Sequence, residues 1–262
     1  MTFKLGPRAI SAGYRLASFD QIGSTNSEAM ARAHTGERGP MWFVTTEQIA
    51  GRGRRQRAWI APRGNLAASV LETLNVAPAT AATLGFAAGL AQASALRAVA
   101  GSASVAFSLK WPNDVLAGPA KLCGILLEAE VQPDGRLAVV VGMGTNIVGA
   151  PEGTPTPATS LKALGLEISA EELFTALSDS WAECQAIWDQ GRGFGEIRRR
   201  WLALAAGLGQ PVAVRTGSAT VSGIFDTIDD TGCMIVQTST GNRVPISAGD
   251  VHFGVAASAR AG

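Results

Sequence analysis

The segment GRGRRQRAW, at positions 51–59, concentrates positive charge. Its arginines are Arg52, Arg54, Arg55 and Arg57. An arginine fork matches the oxygens of a carboxylate or a phosphate, and its charge persists at any working pH. Gly51 and Gly53 let the backbone approach an anion closely and leave the loop mobile when empty. The pattern predicts a loop that orders over an anionic ligand, with Trp59 covering or stacking on a ring.

A second cluster lies in KWPNDVLAGPAKLCGILLE, at positions 110–128. Its charged and amide side chains are Lys110, Asn113, Asp114 and Lys121. Lysines neutralise phosphate or carboxylate, and Asp114 is suited to hold Mg²⁺ or to orient an attacking amine. Gly124, inside a predicted strand, indicates close approach of a ligand or another backbone. The two clusters together predict a site for a carboxylate and a nucleotide triphosphate.

A third segment, GMGTNI at 142–147, ends an apolar strand and carries Asn146, whose amide can read a purine edge through paired hydrogen bonds. Each segment also has a plain structural interpretation. Glycine and asparagine are ordinary turn residues, PND is a good turn, and an arginine run can be a solvated basic loop. These interpretations stay open beside the functional ones.

Two common nucleotide-binding motifs are disfavoured. GRGRRQ has Gln56 where a dinucleotide fingerprint needs its third glycine, and no acidic partner stands at the required distance. The phosphate-loop pattern G-x-x-x-x-G-K-[ST] does not occur. The 22 Lys and Arg against 21 Asp and Glu give a net charge of +1, which argues against a general nucleic-acid coat. The anion site must therefore be local.

The chain has material for a large core, since 47% of its 262 residues are hydrophobic. Three scattered cysteines, Cys123, Cys184 and Cys233, indicate core residues in a reducing compartment rather than disulfides or a zinc site. The apolar stretch 83–101 is interrupted by a glutamine and an arginine, so we expect a buried core helix and no membrane span. The N-terminus lacks the apolar run of a signal peptide. A cytoplasmic protein is expected.

The elements that must position these motifs follow from periodicity and capping. Thr25 with Glu28, and Ser169 with Glu172, predict two helix starts with capping boxes. A further helix is predicted over 79–100, and strands over 41–48, 65–73, 105–111, 121–130 and 136–144. The segment PNDVLAGPA is predicted as a turn and 149–160 as a surface loop.

From about residue 210 the pattern changes to short strands separated by turns that carry glycine or aspartate. This is typical of a small all-β barrel. We therefore predict an α+β protein with two domains. A larger domain, 1–207, holds a mixed β-sheet flanked by helices, and a small C-terminal domain, 208–262, is an all-β barrel.

Several segments, in their order, resemble the biotin–protein ligases (biotin–acetyl-CoA-carboxylase ligases). They are STN (24–26), EQIAGRGRRQR (47–57), Trp59, GNL (64–66), KWPNDV (110–115), KLCGIL (121–126), GMGTNI (142–147) and ATSL (158–161). The C-terminal segment with GD at 249–250 resembles the family's small SH3-like domain. The resemblance covers nearly the whole chain.

The resemblance implies a two-step ligase. Biotin's carboxylate attacks the α-phosphate of ATP with Mg²⁺, which gives biotinyl-5′-AMP and pyrophosphate. A lysine of a biotin carboxyl carrier protein or domain then attacks this anhydride and releases AMP. The implied substrates and cofactors are thus biotin, ATP and Mg²⁺, and the implied partner is the carrier of a biotin-dependent carboxylase.

The resemblance also implies roles for residues of this chain. The biotin-binding set is Ser24, Thr25, Asn26, Gln48, Gly51, Arg52, Gly53 and Gly124. The nucleotide-binding set is Arg54, Arg55, Arg57, Trp59, Asn113, Lys121 and Asn146. The catalytic set is Lys121, Arg54 and Asp114, and Asp114 is also the candidate for Mg²⁺. Asn146 would read the adenine.

Two departures from the family stand out. Gln56 replaces a glycine common in the family's loop, so the loop is expected to be less mobile here. Only about twenty residues precede STN, and a DNA-binding domain needs at least ~50, so a ligase without operator binding is expected. A monomer and a homodimer both stay open. So do two rival functions, a lipoate or octanoate ligase or transferase of the same superfamily, and a nucleic-acid binding module.

Overall fold

The computed structural model describes residues 2–154, 156–217 and 219–253. Its α-helices are α1 (Pro7–Ser11), α2 (Thr25–His34), α3 (Pro78–Ala82), α4 (Leu84–Ala100), α5 (Ala170–Trp188) and α6 (Phe194–Leu202). Its first seven strands are β1 (Arg15–Phe19), β2 (Met41–Thr45), β3 (Leu66–Leu74), β4 (Phe107–Lys110), β5 (Asp114–Ala117), β6 (Ala120–Val131) and β7 (Leu137–Thr145). The later strands are β8 (Pro211–Thr216), β9 (Ala219–Ile228), β10 (Met234–Gln237), β11 (Arg243–Ile246) and β12 (Asp250–Phe253).

The first seven strands form one mixed sheet in the order β1-β2-β3-β7-β6-β5-β4. β1 and β2 run parallel, and the other neighbours are antiparallel. Val70 and Leu71, adjacent in β3, point to opposite faces and are both fully buried. Both faces of the sheet are therefore covered. Val70 belongs to the main core with α4 and α5, while Leu71 packs with Ala29 of α2.

The last five strands form an antiparallel sheet in the order β11-β10-β9-β8-β12. All the C-terminal strands expected from the sequence are present, so the mixed sheet with flanking helices and the separate small β-unit are confirmed. Within the described residues β11 and β12 are the two edges and do not pair, so the sheet is not closed into a barrel. The division at residues 207 and 208 stays a prediction.

The edge strand β4 bonds to the segment between α6 and β8, which leads into the second sheet. The amide of Leu109 donates to the carbonyl of Leu204 at 2.8 Å, and that of Ala206 donates to the carbonyl of Leu109 at 2.8 Å. Next to it, the indole of Trp111 donates to the carbonyl of Gly232 at 3.2 Å. Because Trp111 stands in KWPND, these contacts place the C-terminal sheet beside the second charged cluster.

Local sequence predicted some boundaries correctly and others wrongly. Ser169 and Glu172 form the expected capping box at the start of α5. The expected box at Thr25 is wrong, because the N-cap is Ser24, whose side chain accepts from the amide of Ser27. PNDVLAGPA is not only a turn, since it contains β5. The helix predicted over 79–100 is split into α3 and α4.

One stretch in the described part of the chain, Pro78–Ala100, is long and apolar enough to cross a membrane. Its most apolar window is 72% buried inside the protein, however. It packs against the main sheet and α5, as a core helix does.

Candidate active site

A cavity of about 510 Å³ lies where the start of α2, the arginine segment, strands β4 to β7 and strand β12 meet. It brings most of the residues predicted for the site together. Those that line it are Ser24, Thr25, Asn26, Gln48, Arg52, Gly53, Arg54, Arg57, Trp59, Asn113, Asp114, Lys121, Gly124 and Asn146. Gly51 and Arg55 do not line it. Their ligand-binding roles, like those of the other residues, stay predictions.

The first turn of α2 is held in the cavity wall by a polar network. Gln48 Oε1 accepts from the backbone amide of Thr25 at 2.8 Å and from its hydroxyl at 3.1 Å. Ser69 Oγ lies 2.7 Å from Thr25 Oγ1 and 2.6 Å from Asn26 Oδ1. The Asn26 amide nitrogen donates to Glu128 at 2.8 Å. Sequence reasoning gave no role to Ser69 or Glu128, since each stands in a strand that was predicted mainly from its apolar residues.

Three glycines make the floor of the cavity flat. Gly124 on β6 faces Gly144 on β7 across the sheet, and Gly142 lies two residues from Gly144. A Cβ at Gly144 would lie 2.7 Å from the Trp59 ring, and one at Gly124 would lie 2.9 Å from it. A Cβ at Gly142 would lie 2.1 Å from Asn26 Oδ1. Gly124 does mark a close approach, but the group that approaches is the indole of Trp59 and not the ligand or second backbone that the sequence predicted, so its biotin-binding role stays a prediction.

The arginine segment is held by carboxylates from distant parts of the chain. Arg52 contacts Glu128 at 3.2 Å. Arg55 and Arg57 reach Asp250 on β12 at 2.8 and 3.3 Å. Burial opposes the charge of Asp250, but Arg55 and Arg57 outweigh it and lower the pKa of this carboxyl. Sequence reasoning missed both counter-charges, although GD at 249–250 belonged to the resemblance.

Arg54 differs from its neighbours because it is half-buried. Its guanidinium donates to Asn113 Oδ1 at 3.0 Å, and Asn113 donates to the carbonyl of Ile125 at 2.7 Å. Burial lowers the pKa of Arg54, with a smaller opposing effect from Asp250. A buried guanidinium bonded to a neutral amide retains capacity for an anion.

The unusual residue of the loop, Gln56, has a left-handed backbone with φ 59°, and Arg55 has φ 55°. Glycine adopts the left-handed conformation without strain, whereas for other residues it costs about 1–2 kcal/mol. A glycine at position 56, which the resemblance leads one to expect, would adopt this conformation without strain. The effect of Gln56 on loop mobility stays a prediction.

Lys121 and Asp114 form an ion pair with Nζ 2.6 Å from Oδ1. The Lys121 ammonium also lies 5.4 Å from the centroid of the Trp59 ring. The described residues contain no cluster of three or more His, Cys, Asp or Glu side chains that could hold a metal ion. Any divalent cation here would have to bind one carboxylate together with substrate oxygens, which is a usual arrangement for Mg²⁺.

Asn146 is buried, and its side chain already has partners in the protein. Its amide nitrogen donates to the carbonyl of Thr159 at 3.0 Å, and its Oδ1 accepts from Asn65 at 3.5 Å. The bond to Thr159 uses one of the two N–H donors of this amide, which leaves the other for a purine edge. The adenine-reading role of Asn146 stays a prediction.

Two family models match the chain. The Biotin/lipoate A/B protein ligase family matches residues 19–146, and the Biotin protein ligase C terminal domain matches residues 207–254. The chain is 41% identical over 237 residues to the biotin–acetyl-CoA-carboxylase ligase of Paracoccus denitrificans, covering 88% of this chain and 97% of that protein. It is 36% identical over 236 residues to the ligase of the same name from Mycobacterium tuberculosis, covering 88% and 86%.

The fold is also similar to a solved structure. The biotin protein ligase from Aquifex aeolicus in complex with biotin and ATP superposes with a TM-score of 0.75 at 22% identity. The match covers 92% of this chain and 99% of that one. At this identity the likeness supports the fold.

Proposed function

Because this chain belongs to the biotin protein ligase family, we propose that it activates biotin with ATP and joins it to a lysine of a biotin carboxyl carrier protein. The observation that carries the proposal is one cavity lined by Lys121, Arg54, Arg52 and Asp114 beside the polar network of α2. The chain matches ligases of this name along nearly their whole length, up to 97% of the relative.

In the first step an oxygen of the biotin carboxylate attacks the α-phosphorus of ATP. The bond from that phosphorus to the bridging oxygen breaks, and its electron pair leaves with pyrophosphate. Both reactants are anions and repel each other. Arg52, Arg54 and Lys121 supply the positive charge that holds them together and stabilises the charge of the transition state.

In the second step the amine of the carrier lysine attacks the acyl carbon of biotinyl-5′-AMP, and AMP leaves. The attacking amine must be neutral, and the proton lost from its nitrogen as the amide bond forms is released to solvent. Asp114 orients the incoming lysine, since its carboxylate already accepts an ammonium group, that of Lys121, at 2.6 Å. The arginine segment and Trp59 cover the adenylate and shield it from water.

Biotin is held by the polar network at the start of α2. Its ring system lies along the floor made by Gly124, Gly142 and Gly144, where the lack of Cβ atoms leaves room for a flat ligand. The Trp59 indole rests on this floor, so it must adjust when a ligand enters. Mg²⁺ would be held by Asp114 and the phosphates of ATP and would neutralise phosphate charge.

The direct test is biotin-dependent exchange of labelled pyrophosphate into ATP by the purified protein, followed by transfer of biotin to a carrier domain. Exchange that needs biotin and ignores lipoate supports the proposal. Exchange with lipoate or octanoate alone would assign the chain to the other branch of the biotin/lipoate family. The cytoplasmic location predicted from the sequence stays a prediction.

A further inference from the structure

Glu128 is a charged residue beside the cavity that the two-step scheme has not used. It stands on β6 and shares a face of the sheet with Gly124 and Leu126, because alternate residues of a strand point the same way. Gly124 and Leu126 line the cavity, whereas Glu128 does not. Any effect of Glu128 on the reaction must therefore act through its neighbours.

The Glu128 carboxylate accepts from two side chains that do line the cavity. Asn26 Nδ2 donates to its Oε2 at 2.8 Å, and Arg52 Nη2 lies 3.2 Å from each of its oxygens. A carboxylate only accepts, so it suits both donors at once. A glutamine at position 128 would turn an N–H toward one of them. Glu128 thus joins the start of α2 to the arginine segment.

Asn26 is the fixed end of this connection. Its amide nitrogen also donates to the carbonyl of Leu126 at 3.2 Å, and its oxygen lies 2.6 Å from Ser69 Oγ. These contacts leave the buried Asn26 amide one orientation, with its nitrogen toward Glu128. A ligand that contacts the first turn of α2 therefore also restrains the Glu128 carboxylate.

Arg52 is the movable end, because it belongs to a short antiparallel ladder within the arginine segment. Arg52 forms a β-bridge with Ala58, and the amide of Trp59 donates to the carbonyl of Gly51 at 2.9 Å. The ladder thus carries the indole that lies over the glycine floor. Holding the Arg52 side chain holds the ladder, and with it Trp59.

The Arg52 guanidinium keeps a donor for the ligand. Its Nη2 donates to Ser27 Oγ at 3.2 Å as well as to Glu128. Among the described residues no group accepts from its buried Nε. A buried N–H without an acceptor costs free energy, which an oxygen of a bound ligand can offset. Arg52, held by Glu128, is therefore completed when the cavity is filled.

We propose that Glu128 is a positioning residue that couples the biotin subsite to the arginine segment. It holds Arg52 against α2, so biotin bound at the α2 network also fixes the ladder that carries Trp59 over the adenylate. This inference rests on the proposed function. Because coupling between two sites is reciprocal, a segment that no longer closes on the ligand also retains it less tightly.

Trypsin cleavage after the arginines at positions 52–57 measures whether the segment is closed. Saturating biotin should slow this cleavage at least about tenfold in the wild type. Glu128→Gln keeps the shape of the side chain and removes its charge. Saturating biotin should slow cleavage of this variant less than about threefold. Calorimetric titration establishes that biotin fills the site, so the result separates lost coupling from lost binding.

Release of the adenylate is the second measurement. Labelled biotinyl-5′-AMP, chased with unlabelled compound, should leave Glu128→Gln at least about tenfold faster than the wild type, the effect of one charge-assisted hydrogen bond. The kcat for pyrophosphate exchange should change less than about threefold, because Glu128 touches no reacting atom. In an Arg52→Met background, Glu128→Gln should change the release rate less than about twofold, since the partner through which it acts is gone.

The matched control is Glu130→Gln, two residues along the same face of β6. Glu130 is exposed, pairs with His34 at the far end of α2 at 2.8 Å and does not line the cavity. It should match the wild type in both measurements. The side chains of Glu128 and Arg52 are 28% and 33% exposed, so their pair adds little to stability. The Tm of unliganded Glu128→Gln should stay within about 2 °C of that of the wild type.

Protection of Glu128→Gln by biotin to the wild-type extent would overturn the coupling while leaving the proposed function in place. Equal effects of Glu128→Gln in the Arg52 and Arg52→Met backgrounds would also overturn it, because Glu128 would then act by another route. A wild-type protein without biotin-dependent pyrophosphate exchange would overturn the proposed function itself, and this inference with it.

Discussion

Lys121 lies inside the cavity with its ammonium 2.6 Å from Asp114. Replacing it by alanine removes the charge that offsets both the phosphates and the Asp114 carboxylate. We expect Lys121→Ala to lower biotin-dependent pyrophosphate exchange by about 10³-fold or more. The far-ultraviolet circular dichroism should not change, because Lys121 is partly exposed and its backbone bonds do not need the side chain.

Lys162→Ala, which removes an exposed lysine, is the matched control and should retain full exchange. If Lys121→Ala catalysed pyrophosphate exchange at the rate of this control, Lys121 would have no role in the adenylation step.

Another residue-scale prediction concerns a buried carboxyl outside the cavity. Glu72 Oε1 accepts from the hydroxyl of Tyr14 at 2.6 Å and from the indole of Trp181 at 3.1 Å. Burial raises the pKa of Glu72 from 4.5 to about 7, against these two hydrogen bonds. The protonated form is thus favoured in the folded state, and Glu72 stabilises the fold most below its unfolded pKa.

That contribution is lost as the pH rises from 4.5 through about 7. The difference between these two pKa values corresponds to about 3 kcal/mol of unfolding free energy. Denaturant unfolding at pH 5 and pH 8 measures it. Glu72→Gln is neutral at both values, so its free energy of unfolding should fall less between them than that of the wild type. The exposed Glu167→Gln should follow the wild type. An equal fall in the free energy of unfolding from pH 5 to pH 8 in Glu72→Gln and in the wild type would contradict the raised pKa of Glu72.

At the scale of elements, β7 shapes the cavity because Gly142 and Gly144 have no side chains. A methyl group at Gly142 would lie 2.1 Å from Asn26 Oδ1, a distance that forces Asn26 to move. Gly142→Ala should therefore break the 2.6 Å contact between Asn26 and Ser69. We expect the KM for biotin in the exchange assay to rise at least about tenfold, since an interaction of about 1.4 kcal/mol is worth that factor.

The control is Gly85→Ala in α4, where an added Cβ would meet nothing within 4 Å. It should leave the KM for biotin unchanged and stabilise the protein by about 0.4–1 kcal/mol. A normal KM in Gly142→Ala would show that the α2 network does not hold biotin.

The elements that sequence reasoning found are those with strong local signals. The box formed by Ser169 and Glu172, and the apolar spacing that follows it, define α5 without reference to the rest of the chain. β5 has only four residues and follows a proline and an asparagine, so its local signal is that of a turn. It becomes a strand because β4 and β6 pair with it on both sides.

The site was predictable to the extent that its residues stand in compact motifs. The partners of those residues were not. Arg52 meets Glu128, which is 76 residues away, and Arg55 meets Asp250, which is 195 residues away. No periodicity links such positions, because the pairing arises only when β12 is placed beside the arginine segment.

At the scale of the whole molecule, the C-terminal sheet holds the arginine segment closed. Asp250 of β12 lies within 4.0 Å of Arg55, Arg57 and Arg215, so one carboxylate offsets three guanidinium groups. Without it these like charges would repel, and the segment would open more readily. The segment is proposed to shield biotinyl-5′-AMP, so opening should release the adenylate before the carrier arrives.

We therefore expect Asp250→Asn to leak biotinyl-5′-AMP and to biotinylate bystander proteins several times more than the wild type. Arg54→Ala should leak in the same way, because it loses the contact with Asn113 that fixes the buried part of the segment. Streptavidin blots of reactions that contain carrier domain and serum albumin measure both effects.

The matched control is Asp226→Asn, which removes a carboxylate of the same sheet. Asp226 pairs with Arg243 and does not line the cavity, so this variant should label only the carrier. Carrier-only labelling by Asp250→Asn would mean that the C-terminal sheet does not retain the adenylate. Contacts of the arginine segment with the first sheet, such as the pair of Arg52 and Glu128, would then be enough to retain it.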